Sequence, residues 1–208
     1  MAVSGRLPAA KIGDRWLIER AAVERRRSKG AVPGRPFAPH NAWALLLLAS
    51  AQDVDGLDPS VRSRLRRALE LEGLEKLAPR LKGRAEVQRF GAHPGEVSYI
   101  LEDPDLLRSG ISAAGAHGFD LVSGRELDGY LRASKLKRFA KSHALAPSGL
   151  EGNVCLRLVP EEAWRLLKGA PIAPIAAVAL DLAEDSDPRS GKAGRDALRK
   201  LDRDRIRR

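Results

Sequence analysis

The stretch 153-NVCLRLVP-160 sets Val154, Leu156 and Leu158 at alternate positions, the two-residue period of a β-strand with one apolar face. Pro160 ends that period. Proline suits the first turn of a helix because it has no N–H to lose there, and Glu161 and Glu162 complement the positive end of the helix dipole. A strand over 153–159 running into a helix is therefore expected. Working outward, residues 85–90 and 126–131 are the other strand candidates. Residues 172–184 are almost continuously apolar and read as a strand or a buried helix, with the abundance of alanine favouring helix.

Helix starts are marked by a repeated device, Asp58-Pro59, Asp103-Pro104 and Asp187-Pro188, in which aspartate accepts from orphan N–H groups and proline follows. The first helix should run to about Leu71, with Val61, Leu65 and Leu69 inward and Arg62 and Arg66 outward. The second should be short and end at Gly110, and the third should turn Ala193, Ala197, Leu198 and Leu201 to the core before a basic tail. No internal repeat is present at a solenoid period. The expected class is α+β, helix-rich, with a small sheet.

The chain of 208 residues has room for one large or two small domains, and 43% apolar content supports a real core. Its one cysteine, Cys155, excludes an internal disulfide framework and suits a reducing compartment. The longest apolar run, 42–49, is far short of the ~20 residues that span a bilayer, and no export signal follows Met1. A soluble, cytoplasmic protein is expected. Residues 28–39 hold three prolines and two glycines without periodicity and read as a linker. It would separate an N-terminal module, 1–27, from a C-terminal region, 40–208.

Net charge is +10. Lys plus Arg against Asp plus Glu count 9 to 3 over residues 1–37, 8 to 3 over 60–84 and 9 to 3 over 189–208, which leaves −7 for the remainder. Segregated positive charge is what a polyanion requires, since each neutralised phosphate releases condensed counterions. Solvated basic helix faces would produce the same count.

Enzyme chemistry is not expected. His40, His93, His117 and His143 are scattered, with no i, i+4 pair and no cysteine ladder to converge on a metal. Cys155 has no recognisable base and reads as an inert thiol. Asp53-Val-Asp55 and Asp185-Ser-Asp187 have the spacing of a magnesium pair, but neither follows a Gly-Ser phosphate-holding turn. There is no GxxxxGK[ST] loop and no GxGxxG, so no cofactor is called for.

The N-terminal segment 5-GRLPAAKIGDRWLIERAAVERRR-27 reads as a β-hairpin turning at Gly13-Asp14, followed by a helix from about residue 19. Trp16, between Arg15 and Leu17, is the expected anchor, because a lone two-stranded ribbon is not stable in water. The string S-G-R-L-P-A, the glycine turn and R-W-L-I resemble the second half of the excisionase-type, MerR-like winged helix-turn-helix domain. That resemblance implies that Arg6, Lys11 and Arg15 touch phosphates beside a groove, while base readout belongs to a helix preceding Ser4-Gly5. Either the start codon is placed too late or the chain lacks its reading head.

A second resemblance spans residues 58–201. The strings SGISAAGAHGFDL at 109–121, GNVCLRLVP at 152–160 and AVALDLAEDSDPRSGKAG at 177–194 are similar to the AbiEi-type antitoxins of type IV toxin-antitoxin pairs. It implies a transcriptional regulator that binds double-stranded promoter DNA, represses its operon and opposes a nucleotidyltransferase toxin. Arg62 and Arg66 would supply a second phosphate-contacting surface, or equally the solvated face of a helix. The alternative is a protein-interaction module that regulates a partner enzyme without contacting DNA. RNA binding is disfavoured, because the nine aromatic residues do not interleave with the basic runs. Oligomeric state is not legible.

Overall fold

A computed structural model describes residues 9–12, 15–18, 34–122, 124, 126–148, 152–167 and 169–207. The chain divides into two units between residues 35 and 36.

In the first unit β1 (Ala9–Ile12) and β2 (Arg15–Ile18) pair antiparallel across a two-residue connection. This is the expected hairpin, with its two strands held by alternate backbone pairing. The expected helix over 19–27, the glycine turn, Arg6 and the anchoring role of Trp16 lie outside what the structure describes.

The second unit is α+β. Its helices are α1 (Pro39–Ala49), α2 (Pro59–Glu72), α3 (Leu74–Leu77), α4 (Val97–Glu102), α5 (Gly110–Ala113), α6 (Leu136–Ser142), α7 (Glu161–Trp164), α8 (Ile175–Ala183) and α9 (Pro188–Ile206). Strands β3 (Glu86–Gly91), β4 (Leu106–Arg108), β5 (Leu127–Arg132), β6 (Ala146–Pro147) and β7 (Val154–Val159) form one mixed sheet in the order β4-β5-β7-β3-β6. Only β5 and β7 run parallel.

Strand β7 is central and all six of its residues are buried, so both faces are covered. Val154, Leu156 and Leu158 join Leu127, Leu131, Ile100 and Phe139 in a core under α4 and α6. On the opposite face Tyr130, Leu107 and Val159 meet α1, α8 and the remaining helices. Helices α1 and α8 are apolar around most of their circumference, with Ala42–Leu47 and 176–182 wholly buried, as an interior helix must be.

Asp58 and Asp187 behave as N-caps, accepting from Ser60 and Val61 N–H groups and from Ser190 N–H respectively. Asp103 does not. It follows α4 rather than opening a helix, and its carboxylate accepts the Asp105 N–H at 2.8 Å to form a turn. Leu106 and Leu107 then point to the two sheet faces as β4, a three-residue strand held by its pairing with β5.

On α9 Leu198 lies in the core and Ala197 and Leu201 pack against it, as expected, but the closest approach to α8 is made elsewhere. Ser190, Gly191, Gly194 and Leu198 are buried, while Ala193, Ala197 and Leu201 are only partly so. The reason is backbone proximity: a Cβ at Gly194 would stand 2.3 Å from Ala183 N and 2.5 Å from Ala179 O, so α8 and α9 touch through glycine.

Candidate functional site

The ribbon carries Lys11 on β1 and Arg15 on β2. Its register opposes Lys11 to Trp16 and Ile12 to Arg15. With a two-residue alternation, positions 11 and 16 share one face and positions 12 and 15 share the other.

Arg62 and Arg66 separate in role. Arg62 donates through Nη1 to Asp53 Oδ1 at 2.5 Å and through Nη2 to the Val54 carbonyl at 2.5 Å, fastening α2 to the turn before it. The Arg62 hydrogen bond, then the Val54 N–H and the Arg62 charge, hold the Asp53 carboxyl below its ordinary range. Arg66 is exposed, as are Arg64 and Arg67. It lines an open groove of about 710 Å³ with Glu70 from α2, Leu48 and Gln52 at the end of α1, and Arg205 and Ile206 from α9.

The most concentrated polar chemistry lies inside the second unit, at side chains sequence reasoning did not single out. Asp181 on α8, 1% exposed, accepts from Arg84 Nη2 at 2.5 Å, from Tyr130 OH at 2.7 Å and from Ser109 Oγ. Arg84 also donates Nε to Tyr130 OH at 2.8 Å and both terminal nitrogens to Glu184, at 3.2 and 2.7 Å. Arg157 from β7 makes a two-pronged contact with Asp128 from β5 at 3.1 and 3.0 Å, and its Nε lies 3.2 Å from Asp181 Oδ1. Trp43 on α1 closes the cluster, donating Nε1 to the Arg84 carbonyl at 3.1 Å and meeting Tyr130 edge to face with centroids 4.6 Å apart.

Two guanidiniums thus face three carboxylates, and burial sets their protonation. At Asp181 burial would raise the pKa, but the Arg157 and Arg84 charges and the Ser109 hydrogen bond outweigh it and the group is held low. At Asp128 burial dominates the pull of Arg157, and the pKa is pushed up to about 6. The signal was present as isolated charges in apolar runs: Arg157 within VCLRLV and Asp181 within IAAVALDLA. Ser109, Arg157 and Asp181 reach the cluster from three separate stretches of the chain.

No described buried side-chain nitrogen or oxygen lacks a partner. The buried side chains of the cluster are satisfied by one another. Asp53 is occupied by Arg62, and Asp185 accepts the Asp187 N–H while Asp187 caps α9. Among the described residues no group of three His, Cys, Asp or Glu side chains is placed to hold a metal.

Three of the histidines serve local geometry. His93 Nδ1 accepts the Gly95 N–H at 3.2 Å in a turn, and His117 Nε2 donates to the Ala173 carbonyl at 2.8 Å. His143 joins two carboxylates, Glu96 through Nδ1 and Asp103 through Nε2, each at 2.9 Å. Cys155 is buried, and burial pushes its thiol up to about 12, far from nucleophilic.

Among the described residues no helix is long and apolar enough to cross a membrane. Comparisons with protein families, with curated proteins and with solved structures find no match to this chain.

Proposed function

We propose that this chain is a DNA-binding transcriptional regulator of the AbiEi antitoxin kind, repressing its own operon and opposing a nucleotidyltransferase toxin. The observation that carries the reading is the two-stranded ribbon bearing Lys11 and Arg15, set within the string shared with winged helix-turn-helix domains. The exposed arginines of α2, Arg64, Arg66 and Arg67, add a second cationic surface. The internal pairing of Arg84, Arg157 and their carboxylates supports a scaffold role for the body, with the DNA-facing charge placed elsewhere.

The test is binding of the full chain, with any upstream in-frame extension, to its promoter DNA across a salt series. Affinity should fall steeply with salt, and Lys11→Glu with Arg15→Glu should weaken binding and reduce the salt slope by about 2. Arg66→Glu should weaken it further. Arg62→Gln should instead lower stability with little change in affinity, because that side chain already holds Asp53. Indifference of binding to the ribbon pair would refute the wing assignment.

A second reading, an interaction module without DNA contact, is favoured by the groove beside Arg66 and by Ile206 and Leu71, exposed at 77% and 73%. It predicts co-purification with the product of the adjacent gene and no shift of promoter DNA.

A further inference from the structure

His143 closes a connection that neither the sequence motifs nor the buried cluster explains. It stands immediately after α6 (Leu136–Ser142), and Ala144, which follows, holds φ at +46°, a region that L side chains rarely adopt. The ring leans on Phe139, centroids 4.7 Å apart. Both ring nitrogens face carboxylate oxygens at 2.9 Å: Glu96, which precedes α4, and Asp103, which follows it. One imidazole therefore grips both ends of the same short helix.

We propose that His143 is a proton-dependent clasp fastening residues 96–103 to the end of α6, closed when the ring is doubly protonated and half released when it loses one proton. The chemistry follows from donor count. Only the imidazolium can donate from Nδ1 and Nε2 at once. A neutral ring keeps one N–H, so one of the two carboxylates would face a lone pair and lose its bond.

The surroundings suit such a device. On the α4 side the ionisable groups are Glu96, Tyr99, Glu102 and Asp103; Arg138 and Lys141 stand exposed on α6. From the turn before β4, Asp105 is engaged by Lys135 at 3.6 Å. Partial burial pulls the ring's affinity for its proton down, but the hydrogen bonds and charges of Glu96 and Asp103 outweigh it, so the pKa is raised above 6.5. A raised value means that the clasp stabilises fully below 6.5 and is lost as pH rises through the folded-state pKa. What the clasp holds is a cover for the sheet: Val97 and Ile100 are buried in the same core as Phe139 and Leu145, while Tyr99 presents 67% of its surface to solvent from the same helix. Opening would therefore alter the surface around Tyr99 without touching the ionic cluster on the other face of the sheet.

The test is an NMR titration of the full chain that follows the His143 ring together with the backbone amides of residues 97–102. We expect the ring midpoint above 6.5, the amide shifts to move with the same midpoint, and amide protection, corrected for intrinsic exchange, to fall as pH rises through it. The fall should be roughly tenfold for each unit by which the midpoint exceeds the ordinary value. Glu96→Gln should lower the midpoint, and His143→Gln should make protection of 97–102 independent of pH. A wild-type midpoint at or below 6.5, or amides that titrate with a different midpoint, overturns the clasp even if the histidine variant does not fold. PH-dependent protection that persists in His143→Gln overturns it as well.

Discussion

Arg84 and Asp181 stand 97 positions apart in sequence and meet as a buried ion pair, Nη2 to Oδ1 2.5 Å, with side chains 2% and 0% exposed. Neither charge would be tolerated there alone. Asp181 is surrounded by Arg84, Arg157, Tyr130 and Ser109, and Arg84 by Asp181, Glu184 and Tyr130, so each desolvated charge has several compensating bonds. The pair joins α8 to the segment entering β3 and fixes how the helical layer sits on the sheet.

Removing one partner should therefore be far worse than losing an ordinary contact. Asp181→Ala leaves Arg84 and Arg157 under-neutralised in the interior and should cost about 3–5 kcal/mol. Urea unfolding monitored by tryptophan fluorescence measures it. A loss under about 1 kcal/mol would show that the cluster relaxes or hydrates, contrary to the satisfied geometry.

Two glycines on α9 separate packing from propensity. Gly194→Ala should destabilise by about 1–3 kcal/mol, because the added methyl meets α8 backbone and overrides the helix preference of alanine, worth about 1 kcal/mol. Gly191→Ala should be neutral or stabilising, since its nearest neighbour is the flexible end of Arg195 at 3.2 Å. Thermal melts should show a clear loss for Gly194→Ala and none for Gly191→Ala; equal losses would contradict the close approach of α8 and α9.

Asp128 should leave a mark on the pH dependence of stability. Its folded pKa, about 6, lies above the ordinary 3.8, so the fold favours the protonated carboxyl. That contribution is complete below 3.8 and is lost as pH climbs to about 6. Asp181, held low by the guanidiniums, has the opposite sign and acts as pH falls below 3.8. In chemical denaturation across the upper window, Asp128→Asn should flatten the decline seen in the wild type. An unchanged slope would place the titration elsewhere.

Cys155 should be silent in the folded chain. With the thiol buried and its pKa pushed up to about 12, a thiol reagent at mildly alkaline pH should label it only as fast as the protein opens. Labelling should accelerate in step with urea. Rapid labelling of the native chain would mean that β7 is not the covered central strand.

Much of the local framework was legible. Strands expected over 85–90, 126–131 and 153–159 appear as Glu86–Gly91, Leu127–Arg132 and Val154–Val159, because strand preference and alternation act over a few positions. The caps at Asp58 and Asp187 were readable for the same reason. The Asp103 signal misled because its carboxylate is used in a turn and by His143, 40 residues on. Strands β4 and β6, with three and two residues, are too short to carry a period and exist through their neighbours.

Of the cationic positions, Arg62 shows the limit most clearly. Its i, i+4 spacing with Arg66 was visible, but its engagement with Asp53 and Val54 depends on how the preceding turn folds back.

Near-neighbour chemistry was thus written along the chain: where helices begin, which strands alternate, where positive charge gathers and which apolar runs carry a single charge. Which charge neutralises which was settled by folding. The parallel register of β5 and β7, the placement of α8 over them and the glycine contact with α9 bring Asp128, Arg157 and Asp181 together. Such partners are separated by dozens of residues, and the low-dielectric interior that makes their pairing obligatory exists only once the layers have closed.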